Sequence, residues 1–498
     1  MLVANRGEIA VRVVRACHDL GMRAVAVYSE ADEGAPHVRL ADEAYQIGRA
    51  APAESYLLGE RLIAVARRAG CDAVHPGYGF LSESADFAEA VAAAGLTFVG
   101  PPASVQRALG EKTSARRLAK AVGVPIAEGT LEPISDLPAA RTIAERIGYP
   151  LLLKPTSGGG GKGMRIVRSA DELASAWRGA TGEATTAFGA PGGFAAEGPP
   201  PLLIERYLEG ARHVEVQLIA DDHGSVVWLG ERDCSIQRRH QKLIEETPGP
   251  SVDAALRVRL GDAAVRIARA ARYRNAGTAE FLVAPDGSFV FLEVNTRLQV
   301  EHPVTELVTG LDLVALQFRV AAGEPLPFAQ DSVPCQGAAI ECRITAEDAF
   351  AGFLPAAGRL GLVRLPAGPG VRVDGGIESG MTVPTEYDPL LAKLIAWGPT
   401  RAEALARMRR ALRETVIAGV TTTLPFHQQV LADADFQAGR YDTSYVETHW
   451  AGRRADLDGT ALTAAAMAAV LAARSRARRA APADGSLWVR GAREDALR

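Results

Sequence analysis

The segment from residue 288 to residue 302 alternates polar and apolar side chains. Its polar positions carry two acids, two amides and an arginine: Glu293, Asn295, Arg297, Gln299 and Glu301. The positions between them include Leu292, Val294, Leu298 and Val300. A period of two predicts a strand with one chemical face and one apolar face. A strand facing solvent would also alternate, so this pattern alone leaves a functional face and a solvated face open.

A β-hairpin is predicted around this strand. Residues 277–284 form a second strand pattern, and Pro285-Asp-Gly-Ser288 is a turn signal. A hairpin centred on that turn places Glu280 opposite Glu293, where like charges repel unless something compensates them. Two carboxylates and the Asn295 amide are hard ligands, typical of Mg²⁺ on nucleotide phosphates. The alternative is an acid pair on a solvated hairpin.

The length of this strand constrains its path. A straight strand from Glu293 to Glu301 would span roughly 26 Å at about 3.3 Å per residue, too far for a single reacting centre. We therefore expect the chain to bend near Thr296-Arg297.

Composition excludes several classes of protein. The 498 residues, 48% of them hydrophobic, are enough for several domains with buried cores. A net charge of −4 gives no global electrostatic case for nucleic acid. Five cysteines without a CxxC pair favour a reduced environment. No signal peptide is apparent, and the longest apolar stretch, residues 464–473, is too short for a bilayer, so we predict a cytoplasmic protein without a membrane span.

Two segments suggest anion binding. The glycine-rich run 156–163 lies between two predicted strands, and it is not a Walker A loop because no Ser or Thr follows Lys162. We interpret it as a flap over nucleotide, with a flexible hairpin tip as the alternative. Residues 231–246 are too charged for a core element, and their cluster from Gln237 to Lys242 predicts a local anion site or else a solvated loop. Glu205 is either an adenine contact or a surface acid.

Seven motifs, in matching order and spacing, resemble the biotin carboxylase component of biotin-dependent carboxylases, in the ATP-grasp superfamily. They are ANRGEIA (4–10), HPGYGFLSE (75–83), SGGGGKGM (157–164), RDCSIQRRHQK (232–242), EVNTRLQVEHPVTE (293–306), ECRITAED (341–348) and FLPAAG (353–358). The resemblance covers residues 1–445.

The resemblance implies an α/β, multi-domain ATP-grasp fold. The expected parts are an N-terminal domain with a Rossmann-like open sheet (1–110), an ATP-grasp domain (111–325) with a mobile lid at about 127–200, a β-rich C-terminal domain (326–445) and an Ala/Arg-rich tail (446–498). Within the lid, residues 182–201 are predicted to be a mobile connection because they are rich in Gly, Pro and Ala.

The family's chemistry assigns roles to residues. ATP phosphorylates bicarbonate to carboxyphosphate, which gives CO₂ and phosphate, and the ureido nitrogen of biotin captures the CO₂. Glu280, Glu293 and Asn295 would hold Mg²⁺ (or Mn²⁺). The two acids are also expected to contact ATP, together with Lys112, Lys154, Gly160, Gly161, Met164, Glu205, Arg206, Tyr207, Leu208, His213, Gln237 and His240.

A second set of residues is implied for bicarbonate and biotin. These are Lys242, Arg297, Gln299, Val300, Arg343 and Tyr78. Glu301 would deprotonate bicarbonate, and Arg343 would stabilise the enolate of biotin. Arg297 suits this site physically because a guanidinium matches a planar anion.

The last expectations concern the partner proteins and two alternative functions. Residues 451–498 contain no biotin attachment sequence of the Met-Lys-Met type, so the biotin carboxyl carrier protein is expected on a separate chain. A homodimer and a partner carboxyltransferase are also expected. The final carboxyl acceptor, an acyl-CoA or pyruvate, stays open. One rival is an ATP-grasp ligase that forms an acyl phosphate for an amine or thiol. The other is a non-catalytic nucleotide-binding protein that regulates a partner.

Overall fold

The first hundred residues form a parallel sheet of five short strands. The computed structural model, which describes residues 1–134, 136–155, 164–188, 202–450 and 452, alternates these strands with helices. In chain order the elements are β1 (Leu2–Val3), α1 (Gly7–Asp19), β2 (Val25–Ser29), α2 (Pro36–Leu40), β3 (Glu43–Gly48), α3 (Gly59–Arg68), β4 (Ala73–His75), α4 (Ala85–Ala93), β5 (Thr97–Phe98) and α5 (Ala103–Gly110). The order β3-β2-β1-β4-β5, parallel throughout, confirms the predicted open sheet.

Both faces of this sheet are buried, which explains its continuous apolar sequence. Val3 packs with Ile9 and Val13 of α1 on one face. Leu2 and Val25 pack into a second core on the other face, beneath α3 and α4.

A smaller antiparallel sheet follows, in the order β7-β6-β8. The elements of this region are α6 (Lys112–Ala121), α7 (Leu137–Ile147), β6 (Leu151–Pro155), β7 (Arg165–Val167), α8 (Ala170–Phe188) and β8 (Leu202–Arg206). The glycine-rich run 156–163 and residues 189–201 lie outside the described residues. Residues 182–188 belong to α8, so the predicted loop at 182–201 was wrong for its first part.

An eight-stranded antiparallel sheet organises the rest of the chain, in the order β13-β12-β9-β10-β11-β14-β21-β19. Its elements and the helices between them are β9 (Arg212–Ala220), β10 (Val226–Arg238), β11 (Gln241–Thr247), α9 (Ala254–Ala270), β12 (Asn275–Val283), β13 (Phe289–Asn295), α10 (His302–Thr309), α11 (Leu313–Ala321) and β14 (Ala338–Thr345). The charged segment 231–246 forms β10 and β11 at its centre. Our expectation that it was too charged for a core element was wrong, because its charges are paired inside the protein.

The C-terminal part adds short strands and four helices. They are β15 (Glu347–Asp348), β16 (Leu354–Pro355), β17 (Gly358–Arg359), β18 (Val363–Arg364), β19 (Val371–Gly375), β20 (Thr382–Val383), β21 (Leu390–Gly398), α12 (Arg401–Glu414), β22 (Val416–Ile417), α13 (Leu424–Ala432), α14 (Ala434–Gln437) and α15 (Tyr445–His449). Nowhere in the described part of the chain is a helix both long and apolar enough to cross a bilayer.

The predicted hairpin is β12-β13, and it reaches the predicted register by an unexpected route. The Ala284 N–H donates to the Ser288 carbonyl at 2.8 Å, which leaves a three-residue turn ending in Gly287 at φ +78°. The ladder then shifts by one residue between Phe281↔Phe291 and Glu280↔Glu293. Leu292 is the extra residue of this β-bulge, and the bulge restores the predicted pairing of the two acids.

The start of α1 packs closely against the loop after β19. A Cβ on Gly376 would lie 2.7 Å from the Glu8 nitrogen and 2.7 Å from the Gly7 carbonyl carbon. Backbone atoms cannot yield as a flexible side chain does, so this position requires glycine.

We predict that Gly376→Ala lowers stability by about 1–3 kcal/mol through this overpacking, seen in a chain of this length as a thermal midpoint about 1–3 °C lower. The control is Gly110→Ala, at the end of α5, where an added Cβ meets no atom within 4 Å. Equal midpoints for the two variants, measured by calorimetry, would contradict the close approach.

Candidate active site

Three acids lie side by side across the large sheet. The strand register sets Glu215 of β9 opposite Glu280 of β12, and Glu280 opposite Glu293 of β13. The first two are almost fully buried, at 0% and 4% exposure. Sequence reasoning found the pair Glu280 and Glu293 but missed Glu215. The available signal was its position two residues after His213, on the same face of a strand.

The ammonium of Lys242 lies among three carboxylates. Its Nζ donates to Glu280 at 2.9 Å, to Glu301 at 2.7 Å and to Glu215, and it also lies 3.3 Å from the Gln299 amide oxygen. Burial lowers the pKa of Lys242, but the three carboxylates outweigh it and hold this pKa well above its usual value. Lys242 is therefore a cation at neutral pH.

A second cation, Arg232, lies behind Glu215 and is fully buried. Its guanidinium donates to Glu215 at 2.5 Å. Its remaining contacts are with Gln217 at 2.7 Å, Thr305 at 2.9 Å and Thr278 at 3.2 Å. A buried charge with this many partners is tolerated, whereas the loss of one partner leaves an uncompensated charge.

The acids of the hairpin are in different electrostatic states. Glu280 accepts from His213, Asn295 and Gln299, each at 2.9 Å. Burial raises its pKa, but Lys242 and His213 outweigh burial and hold this pKa well below its usual value. Burial and the Glu280 charge raise the pKa of Glu293, which has no hydrogen-bond or ion-pair partner among the described residues.

This arrangement fits a divalent cation. An unpartnered, half-buried carboxylate beside an ionised one, with the Asn295 amide adjacent, is a hard oxygen donor set. Two other acid clusters, His213-Glu215-Glu280 and Glu215-Cys234-Glu301, have ligand atoms close together. Lys242 already neutralises both of them, so we assign no metal there.

The predicted bend follows directly after β13. This strand ends at Asn295, yet Gln299 reaches back to the same Glu280 oxygen that Asn295 contacts. Arg297 donates to Glu83 at 2.9 Å and to the Asn295 amide oxygen at 2.8 Å. Glu83 was not predicted, since more than two hundred residues of sequence separate it from Arg297.

Glu301 joins this cluster to Arg343. One Glu301 oxygen accepts from Lys242 and the other from Arg343 at 2.9 Å. Burial raises the pKa of Glu301, but Lys242 and Arg343 reverse the effect and hold this pKa well below its usual range. Arg343 also donates to Glu245 at 2.5 Å. Burial raises the pKa of Glu245 to about 7, because the pull of Arg343 offsets it only in part and Glu301 repels the charge.

Basic side chains lie on the other side of the hairpin acids. The pKa of Lys112 is lowered by burial and by Lys154, while the nearby Glu293 opposes the shift. Burial lowers the pKa of His240, and the neighbouring His213 and Lys154 lower it further. Cations that weaken one another in this way favour an anion placed between them.

Family models match three consecutive parts of the chain. Residues 1–105 match the biotin carboxylase N-terminal domain, residues 111–329 the ATP-binding domain of the carbamoyl-phosphate synthase L chain, and residues 341–448 the biotin carboxylase C-terminal domain. Biotin carboxylase 1 of Bacillus subtilis is 49% identical over 450 residues, which cover 90% of this chain and 98% of that protein. The chain belongs to the biotin carboxylase family.

Other relatives of this biotin carboxylase agree. The biotin carboxylase of Haemophilus influenzae is 48% identical, over 90% of this chain and 98% of that protein. The biotin carboxylase domain dimer of Hydrogenobacter thermophilus 2-oxoglutarate carboxylase, solved with MgADP, ADP and bicarbonate, has a TM-score of 0.87 and 44% identity, over 91% of this chain and 98% of that one. The Campylobacter jejuni biotin carboxylase has a TM-score of 0.86 and 43% identity, over 90% and 98%.

Several predicted ATP contacts of this biotin carboxylase have other partners in the structure. Glu205 accepts from Arg116 at 2.7 Å and from Lys154, and it is buried, so it is not a surface acid. The Arg206 guanidinium donates to the carbonyls of Ile147 and Tyr149.

The other predicted ATP contacts stay predictions. Gln237 lies 3.3 Å from the His213 ring. Met164 is half-buried, and Tyr207 and Leu208 follow directly after β8. Gly160 and Gly161 lie outside the described residues.

We predict that Glu245→Gln changes how the stability of this biotin carboxylase depends on pH. The folded pKa of about 7 exceeds the unfolded value of 4.5, so the fold binds this proton more tightly and loses stability as pH rises between those values. The variant lacks that loss, and its thermal midpoint should therefore gain on the wild type from pH 5 to 7.5. Parallel midpoint curves for the two proteins would contradict the raised pKa.

Proposed function

We propose that this chain is the biotin carboxylase of a biotin-dependent carboxylase. It uses ATP to activate bicarbonate and transfers the carboxyl group to biotin. The observation that supports this best is the position of Lys242, which contacts both Glu280 of the hairpin acid pair and Glu301, the partner of Arg343. A nucleotide site and a site for a small anion thus share one cation.

The phosphate end of the proposed site combines cations and acids. Lys112, Lys154, His213, Gln237 and His240 contact the nucleotide. Glu280, Glu293 and Asn295 hold Mg²⁺, which when bound neutralises charge on the transferred phosphoryl group. A metal on Glu293 also relieves the repulsion that raises the pKa of this carboxyl.

The bicarbonate end uses Arg297, Gln299, the Val300 backbone and Lys242. Glu301 accepts the proton of bicarbonate, and the oxygen freed of its proton attacks the γ-phosphorus as ADP leaves. The low pKa of Glu301 keeps it ionised before the reaction. Its basicity rises once a bound anion shares Lys242, because the attraction that lowers this pKa is then divided between two anions.

The biotin end centres on Arg343 and Tyr78. Carboxyphosphate breaks down to CO₂ and phosphate, and the phosphate removes the ureido proton of biotin. Arg343 stabilises the oxygen of the resulting enolate, as a donor in an oxyanion hole does. The ureido nitrogen then bonds to the CO₂ carbon.

We propose the partners by analogy with the relatives, one of which is named as part of a pyruvate carboxylase. They are a biotin carboxyl carrier protein on a separate chain and a carboxyltransferase. We propose a homodimer because the biotin carboxylase domain of 2-oxoglutarate carboxylase is described as a dimer. All five cysteines are free, in keeping with the proposed cytoplasmic location.

The deciding experiment measures ADP release with bicarbonate, with and without free biotin. We expect bicarbonate to be required and biotin to stimulate the rate. Arg343→Ala should lose most of the stimulation and keep nucleotide binding, because the enolate charge loses its partner. The control is Arg364→Ala, at an exposed arginine of the same domain. ADP release that needs neither bicarbonate nor biotin, but responds to an amine, would instead indicate an acyl phosphate ligase.

A metal titration tests the acid pair. Glu293→Gln should raise the Mg²⁺ concentration for half-maximal ADP release about tenfold or more, since a neutral amide is a weaker ligand than a carboxylate. Glu324→Gln, at an exposed acid, is the matched control. An unchanged titration for Glu293→Gln would remove the opposed carboxylates from the metal site.

A further inference from the structure

Lys393 on β21 is a fully buried lysine that joins three distant parts of the chain. Its Nζ donates to the Val300 carbonyl at 2.7 Å. The same atom lies 3.1 Å from a Glu8 oxygen and 3.8 Å from an Asp374 oxygen. Neither Lys393 nor Glu8 was predicted as a site residue, and the proposed chemical steps use neither of them.

The Val300 carbonyl belongs to the peptide that precedes Glu301. Glu301 is the N-cap of α10, and its carbonyl accepts from the Val304 N–H at 3.3 Å, so the helix holds Glu301 on its C-terminal side only. The neighbouring Gln299 carbonyl is bonded to the His302 ring at 2.8 Å. The Lys393 bond therefore fixes the peptide plane that sets the direction of the Glu301 backbone.

Glu8 also holds the side chain of Tyr78. The Tyr78 hydroxyl donates to the same Glu8 oxygen that faces Lys393. Asn5 donates to the Tyr78 carbonyl at 2.8 Å and to the Pro76 carbonyl at 2.7 Å. The loop at the start of α1 thus holds Tyr78 at both its backbone and its hydroxyl.

We propose that Lys393 and Glu8 are positioning residues for carboxylation: together they align the peptide before Glu301 and the ring of Tyr78, and they touch no substrate themselves. This inference rests on the proposed function, in which Glu301 and Val300 face bicarbonate and Tyr78 faces biotin. It assigns to the contact between α1 and β21 a role in placing both substrates.

The pair is suited to this role because both side chains are buried and held by their neighbours. Glu8 lies at the first turn of α1, where a carboxylate is favoured by the helix dipole. The Gly376 backbone packs against the same turn so closely that an added Cβ would lie 2.7 Å from the Glu8 nitrogen. Lys393 lies on a buried strand, where its ammonium has few other positions available. The sheet therefore fixes its bond to the Val300 carbonyl.

The test uses the paired variant Lys393→Met/Glu8→Gln. Burial raises the pKa of Glu8 to about 7 although Lys393 opposes the shift. Removing only the lysine would leave a buried acid without its partner and destabilise the fold, whereas the paired variant replaces both groups with neutral ones. The amide oxygen that replaces the Glu8 carboxylate is still able to accept from Tyr78. The control is Arg257→Met, which breaks an ion pair with Glu231 at 2.7 Å that contacts none of the predicted site residues.

We expect the paired variant to bind ATP with a KM within about twofold of the wild type, while the KM for bicarbonate rises and biotin-stimulated kcat falls, each by about tenfold or more. Glu8→Gln alone should show a smaller change in the same direction, since Lys393 can still reach Val300. Arg257→Met should lower the thermal midpoint without this separation between ATP and bicarbonate.

Two results would overturn the proposal. One is a folded paired variant with wild-type KM for bicarbonate and wild-type biotin stimulation. The other is an equal loss for ATP and bicarbonate in Glu8→Gln and in the paired variant, which would make the contact merely structural. If wild-type ADP release ignores bicarbonate and biotin, the proposed function fails first, and that result is separate from any variant.

Discussion

The site depends on two buried cations placed among acids. Arg232 and Lys242 donate to different oxygens of Glu215, and Lys242 also donates to Glu280 and Glu301. Three buried carboxylates, those of Glu215, Glu280 and Glu301, could not all be ionised without these two cations. With them, the pKa values of Glu280 and Glu301 lie below the usual range, whereas burial and the Glu280 charge raise the pKa of Glu293. The Glu293 carboxyl is thus left for a metal, while the carboxylates of Glu280 and Glu301 are held in hydrogen bonds.

The large sheet makes this possible because it brings separate segments into register. Five adjacent strands, from β13 through β12, β9 and β10 to β11, supply Glu293, Glu280, Glu215, Arg232 and Lys242, and Glu301 joins them from the segment before α10. Side chains on neighbouring strands are held at nearly constant spacing, so ion pairs form with little further ordering. The cost is that removing one partner of a buried ion pair here leaves the other uncompensated.

The sequence predicted more of the fold than of the charge network. Motifs and periodicity indicated the open sheet, the hairpin and the bend after Asn295, because each depends on residues close in the chain. The burial of residues 231–246 was missed, since their partners Glu215 and Glu301 lie outside the segment and a charge run considered alone suggests solvent. Glu83 and Lys393 were missed for the same reason. The predicted pairing of Glu280 with Glu293 was right, but the sequence did not indicate the three-residue turn and the bulge that produce it.

The bulge at Leu292 has a consequence for how the sequence of this hairpin can evolve. A three-residue turn alone would set Glu280 opposite Leu292 and direct Glu293 away from its partner. The bulge absorbs the odd residue, so a two-residue turn with a regular ladder and a three-residue turn with a bulge give the same acid pair from the same number of residues. Substitutions at the hairpin tip can therefore change the turn type while the number of residues between Glu280 and Glu293 stays the same. An insertion or deletion in one strand would instead separate the two acids.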